Sequence, residues 1–238
     1  QLVPNGGTYG IGVLDGANGN LLWKKEFTMF SPTARAIEGL EAVISNDASL
    51  VAVGTVPTGV VTLFDTETGN MVRQMPNAPD NGDNWGQIRK MAFDANDEYL
   101  YIGSGDNYLR KVRVSDGQLM WRAFIGGWPF VNGLQFSSDE SFIITGTKSF
   151  DQARVNTATG ETVWINDSGS LEAALSANDE LVITFGGHIM SAEDGEYVGF
   201  IRQGAESHFI ANDEIIVKMD RNIQPFYTNG KQLTSSPA

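Results

Sequence analysis

Residues Met91–Trp121 read MAFDANDEYLYIGSGDNYLRKVRVSDGQLMW, and this stretch decides the architecture. Lys90–Asp94 is a short, partly apolar strand. Asn96-Asp97-Glu98 is a polar turn, because Asn and Asp bond their own backbone and tolerate unusual angles. Tyr99–Gly103 carries the β-branched and aromatic residues that suit a pleated surface. Gly105-Asp106-Asn107 turns the chain again. Tyr108–Val114 alternates, with Leu109, Lys111 and Arg113 on one side and Arg110, Val112 and Val114 on the other, which is a strand period. Asp116-Gly117 is a hairpin signal, and Leu119–Ile125 is a fourth strand.

The same punctuation recurs along the chain. The first turn returns as Ser45-Asn46-Asp47, Ala95-Asn96-Asp97, Ser137-Ser138-Asp139, Ala177-Asn178-Asp179 and Ala211-Asn212-Asp213. The last turn returns at Gly19, Gly69, Gly117, Gly160, Gly195 and Gly230, spaced 50, 48, 43, 35 and 35 residues apart. Four strands per unit at that period predict an all-β β-propeller of about six four-stranded blades. A β-sandwich with recurrent turns is the alternative. The fixed alternation of two turn types, five times over, favours the propeller.

Leu14-Asp15-Gly16-Ala17-Asn18-Gly19-Asn20-Leu21-Leu22-Trp23 resembles the repeat of pyrroloquinoline-quinone-like propellers, roughly A-x-D-x-x-T-G-x-x-x-W. Asp65–Gly69 and Asn156–Trp164 are similar to it too. Trp stands four residues after the turn glycine at Trp23, Trp121 and Trp164, whereas Arg73, Gly199 and Thr234 stand there in the other copies. The acidic turns also resemble those of WD-repeat-like propellers. The resemblance covers nearly the whole chain and implies a fold rather than a function. Quinone dehydrogenases of that type have larger rings, often vicinal cysteines, and a dedicated cofactor pocket; the sequence carries no sign of these.

The units are residues 1–28 (partial), 34–76, 88–126, 131–167, 169–203 and 205–235, making one domain over 1–238. In the first, Gln1–Val3, Tyr9–Leu14 and Leu21–Phe27 can be second, third and fourth strands. That leaves the first blade incomplete, open to a strand from upstream or from another chain. Ala34–Ile44 has apolar residues at helical spacing, but its place in the repeat predicts a strand. Asn77–Gln87 is an irregular insertion.

Sixteen Lys and Arg against 29 Asp and Glu give a net charge of −13. That balance disfavours a nucleic-acid partner, whose phosphates need basic residues. There are no cysteines, which excludes disulfides, thiolate metal sites and cysteine nucleophiles. No stretch approaches the roughly 20 apolar residues of a membrane-spanning helix. The composition fits a secreted or cell-envelope protein.

In a propeller the first strands line a central channel. Counting back seven from each turn Asp gives Leu40, Lys90, Asn132, Glu172 and Glu206. The four polar members form either a ring that binds a cation or polar ligand, or an ordinary water-filled lining. Loops at the same end carry Asp80, Asp83, Trp85, Asp106, Trp128, Lys148, Asp151, His188, Asp220 and Arg221. Exposed Trp beside carboxylates suits protein or carbohydrate recognition, unless Trp85 and Trp128 pack between blades. Asp80 and Asp83, in an oxygen-rich turn, make calcium the alternative to having no cofactor, although the EF-hand spacing is absent. With only His188 and His208 and no G-x-S-x-G elbow, hydrolase and zinc chemistry have little to work with. The expectation is a non-catalytic, rigid interaction module. The alternatives are a subunit that self-assembles through the edge of its first blade, and a quinone- or metal-dependent enzyme.

Overall fold

The computed structural model describes residues 6–30, 40–54, 59–76, 87–127, 131–147, 151–167, 173–184, 186–200, 206–210, 215–219 and 223–227. Among them the regular elements are all strands, in six sheets. The first holds β1 (Gly6–Leu14) and β2 (Leu21–Phe30). The second holds β3 (Glu41–Ile44), β4 (Leu50–Gly54), β5 (Val60–Asp65) and β6 (Met71–Pro76). The third holds β7 (Ile88–Phe93), β8 (Tyr99–Ser104), β9 (Tyr108–Arg113) and β10 (Leu119–Phe124). The fourth holds β11 (Val131–Phe136), β12 (Phe142–Thr147), β13 (Asp151–Asn156) and β14 (Thr162–Asp167). The fifth holds β15 (Ala173–Leu175), β16 (Leu181–Thr184), β17 (His188–Ser191) and β18 (Tyr197–Phe200). The sixth holds β19 (Glu206–Ile210), β20 (Ile215–Met219) and β21 (Ile223–Tyr227). Strand order follows chain order in every sheet, so each is a meander. No described helix is long and apolar enough to cross a membrane.

The chain divides into two compact units, residues 1–106 with 110–120 and residues 107–109 with 121–238; the division runs through the third sheet. Within the first unit β3 adjoins β7, and within the second β11 adjoins β15 and β15 adjoins β19. Within each unit these sheets thus meet along their first strands, as successive propeller blades do. The strands expected at Tyr9–Leu14 and Leu21–Phe27 are present and run longer. The expectation at Ala34–Ile44 is met over Glu41–Ile44; residues 31–39, like Gln1–Val3, lie outside the described residues.

Burial follows the place of a strand in its blade. The second strands are the apolar centre: Leu100, Ile102, Ile143, Ile144 and Ile183 are almost fully buried, each contributing about 1.5–3 kcal/mol by removal from water. The fourth strands alternate, as in the half-buried, exposed, half-buried pattern of β14.

The acidic turns contain a one-residue difference that the sequence hides. Ala48, Asp97, Glu140 and Asp179 all have φ near +60°, and each donates its amide to the residue three before it. Asp97 is therefore equivalent to Ala48, and Asp47 to Asn96. Aligning Asp47 with Asp97 was off by one, because Asp serves two jobs here. Asp47 and Asp139 accept from Ser49 N (2.8 Å) and Ser141 N (2.9 Å) within their own turns. Asp97 and Asp179 instead reach the preceding blade. Asp97 accepts from Asn46 N (2.8 Å), Asn46 Nδ2 (2.9 Å) and Asp47 N (2.9 Å). Asp179 accepts from Ser138 N (2.8 Å) and Ser138 Oγ (2.5 Å).

In the first four blades the residue four after the turn glycine docks on the next blade. Trp23 Nε1 donates to Thr66 O at 2.7 Å, Trp121 Nε1 to Thr157 O at 3.0 Å and Trp164 Nε1 to Ala192 O at 3.1 Å. Each indole lies over the next turn glycine, so closely that a Cβ on Gly69, Gly160 or Gly195 would fall within 2.8 Å of it. Those glycines also need their positive φ of 69–75°. Arg73 fills the same place in the second blade, donating to Ser115 O (2.7 Å) and Asp116 O (3.2 Å).

Candidate functional site

In a four-stranded meander, the start of the first strand, the turn between second and third strands, and the link to the next blade share one end. Within its own blade, each described nominee belongs to that end by chain order. Lys90, in β7, pairs opposite Gly103. At the same register of the preceding blade, opposite Gly54, stands Glu41. Lys90 Nζ lies 3.9 Å from Glu41 Oε1, both side chains partly exposed. Burial pushes the Glu41 carboxyl up, against the attraction of Lys90 and the Met91 amide, which hold it down.

Glu41 was missed because counting back from Asp47 as the equivalent of Asp97 stops at Leu40. The same slip mixes two registers in the predicted ring. Asn132 falls at the irregularity between Val131 and Gly133, as Arg89 does between Ile88 and Lys90. Asn132 is thus the counterpart of Arg89, not of Lys90. Glu206 opens β19 opposite Met219. Glu172, Asp80, Asp83, Trp85, Trp128, Lys148, Asp220 and Arg221 lie outside the described residues, and so does the calcium alternative.

The described loop residues each brace their own blade. Arg110 is 4% exposed. It forms an ion pair with Asp106 and donates to Ser104 Oγ at 2.6 Å. That closes the turn between β8 and β9 with a buried, bidentate charge pair. Asp151 Oδ2 accepts from Gly127 N at 3.1 Å, tying the link after β10 to the start of β13. His188 opens β17, its ring 5.1 Å from Phe200 and 5.9 Å from Tyr197, so its imidazole packs on the fourth strand. Among the described residues, no three His, Cys, Asp or Glu side chains gather as a metal ion would require.

At the opposite end of their own blades lie two equivalent clefts, one in each unit, that the sequence did not nominate. One, about 490 Å³, is lined by Asp97, Glu98, Tyr99, Arg113, Val114 and Ser115. The other, about 470 Å³, is lined by Arg154, Asp179, Glu180, Ser191 and Glu193. The Asp97 and Asp179 carboxylates in them already serve the preceding blade.

Residues 57–222 match the PQQ_2 family, described as outer membrane protein assembly factor BamB. No curated protein matches. BamB from Moraxella catarrhalis is similar in structure, with a TM-score of 0.70 at 19% identity over 94% of this chain and 66% of that one. A chain of the mitotic checkpoint complex is similar with a TM-score of 0.69 at 16% identity, over 97% of this chain and 72% of that one. Kuenenia stuttgartiensis hydrazine synthase gives 0.57 at 15% identity, over 77% of this chain and 54% of that one. This chain therefore spans about two thirds of the BamB chain it resembles. At these identities the likenesses establish a β-propeller fold, of the kind its turns announced. With more than half of its length matched, the chain belongs to the PQQ_2 family of outer membrane protein assembly factor BamB.

Proposed function

We propose that this chain is a non-catalytic interaction module of the cell envelope that binds protein partners at the end of the blades carrying Lys90 and Glu41. The observation that carries the reading is the family match over residues 57–222, since that family is described as an assembly factor. The docking of one blade on the next supports it. Each described blade from the first to the fourth is fastened to its successor by an indole or guanidinium, which holds loops in place for recognition at low entropic cost. Asn132, Glu172, Glu206, Trp85, Trp128, His188, Asp220 and Arg221 are the further contacts we assign to that face. Carbohydrate is the alternative ligand there.

The test is partner capture from envelope extracts by the purified chain. Lys90→Glu, which reverses charge beside Glu41, should reduce recovery of the partner while the circular dichroism spectrum stays that of the folded chain. Recovery insensitive to Lys90→Glu, but lost on substitution at the opposite end, at Glu98, would refute the assignment. Self-assembly through the first blade is a second reading, favoured by the two-stranded β1–β2 sheet. A monomer at every concentration would remove it.

A further inference from the structure

The first blade presents the receiving half of a blade–blade interface. From the second to the fifth blade, the last residue before the turn between third and fourth strands is buried: Phe64 at 6%, Val112 at 6%, Val155 at 0% and Met190 at 0% exposed. In the second blade the cover is visible, because Trp23 and Phe27 of the first blade pack their rings 6.0 and 6.3 Å from Phe64. The equivalent residue of the first blade, Leu14, is 59% exposed. Its turn has the same build, with Gly19 N donating to Asp15 O at 2.7 Å and Gly19 at φ +73°. Yet where Gly69, Gly160 and Gly195 lie under indoles, no described residue stands within 4 Å of a Cβ placed on Gly16 or Gly19. Gly16 is the position whose counterparts, Thr66, Thr157 and Ala192, accept the indole N–H. Beside it the strand is smooth, with Gly10 and Gly12 exposed.

We propose that the β1–β2 hairpin is a docking surface for the edge strand of a further β-blade bearing a tryptophan four residues after its own turn glycine. The indole would lie on Gly19 and donate to Gly16 O, and its strand would cover Leu14. Continuity carries it: among the described residues the same receptor is built four more times, holding an indole three times and a guanidinium once. A second copy of this chain is a poor source. Its described indoles at that position, Trp23, Trp121 and Trp164, are already engaged, and its fifth blade has Gly199 there. This surface is separate from the Lys90 end, so either assignment can fail alone.

The test uses two probes with the full chain. The first is a fluorescent hairpin of sequence 151–167, closed by an added disulfide, which carries Trp164 four residues after Gly160. It should bind saturably, and either Trp164→Ala in the hairpin or Leu14→Glu in the protein should weaken binding by about tenfold or more. The second, N-acetyltryptophanamide, needs no folded partner. It should shift the amide resonances of Leu14, Gly16 and Gly19, where N-acetylleucinamide does not. The proposal is overturned if neither probe moves those amides, or if Leu14→Glu binds the hairpin as tightly as the unmodified chain. Self-association abolished by Leu14→Glu would assign the surface to a second copy and overturn it as well.

Discussion

Two glycines with the same backbone angle and opposite surroundings separate conformational strain from blade docking. Gly160 has φ +75° and Gly19 has φ +73°, so alanine at either pays the left-handed penalty of about 1–2 kcal/mol. At Gly19 no described atom lies within 4 Å of the new methyl, and the cost ends there. At Gly160 the methyl would stand 2.6 Å from Trp121 Cδ2 and 2.9 Å from Trp121 Cβ. The indole is held by its bond to Thr157 O, so it cannot yield without losing that bond, and overpacking of this kind costs about 1–3 kcal/mol more. Gly160→Ala should therefore be less stable than Gly19→Ala by about 1–3 kcal/mol. In urea, with a slope of about 3 kcal/mol/M, that is a midpoint lower by about 0.3–1 M. Circular dichroism and tryptophan fluorescence should agree on it. Equal midpoints for the two variants would mean that Trp121 does not bear on the next blade, and the stapled framework would fall with it.

Trp164→Phe should lose the bond to Ala192 O at a cost of about 1 kcal/mol. Trp164→Ala, which also uncovers Gly195 and the cluster around Phe142 and Met190, should cost about 3–5 kcal/mol; similar losses for the two in urea melts would deny the packing role. Asp97→Asn keeps one acceptor for three donors and should destabilise by about 1–3 kcal/mol, with faster amide exchange at Asn46 and Asp47 as the residue-level readout. Glu41 has a raised pKa, so the folded state holds its proton longer and stability from this group falls as pH rises from the ordinary Glu value through the raised one. Glu41→Gln should gain on the unmodified chain over that window in melts against pH; a constant difference would contradict the burial. Asp139 is held down to about 2 by the Ser141 amide and hydroxyl and the Ser137 hydroxyl, so its stabilisation is present above the ordinary Asp value and lost as pH falls towards 2. Asp139→Asn should flatten acid unfolding across that range, and an unchanged acid slope would contradict it.

The framework was legible because it rests on backbone requirements that single residues satisfy. Gly69, Gly117, Gly160 and Gly195 mark every turn between third and fourth strands in the second to fifth blades, since positive φ is cheap only for glycine. Trp at the fourth position beyond was visible as a pattern, and its meaning, an indole on the next blade's turn, needed three dimensions. Even the alternation of β9 carried weight. Arg110 fell on the side of Val112, and both are buried, Arg110 by virtue of its pair with Asp106, but Leu109 on the other side is fully buried too. The ring of first-strand residues was read less well. Asp47 and Asp97 look alike in sequence, yet one caps its own turn and the other its neighbour's. The resulting slip by one residue replaced Glu41 with Leu40 and put Asn132 in the wrong register. Loop residues such as Asp106 and Asp151 were picked for their chemistry. Their partners, Arg110 and the Gly127 amide, are set by turns whose geometry no local pattern encodes.

The central claim is that first strands of successive blades stand side by side and bring Glu41 and Lys90 together at one end. The natural absence of cysteine makes a direct measurement clean. Dibromobimane becomes fluorescent on bridging two thiols. It should light the Glu41→Cys, Lys90→Cys double variant, but neither single variant, nor the pair Glu41→Cys, Glu98→Cys at opposite ends of neighbouring blades. Fluorescence from the Glu41–Glu98 pair with none from the Glu41–Lys90 pair would contradict the blade arrangement and the binding face built on it.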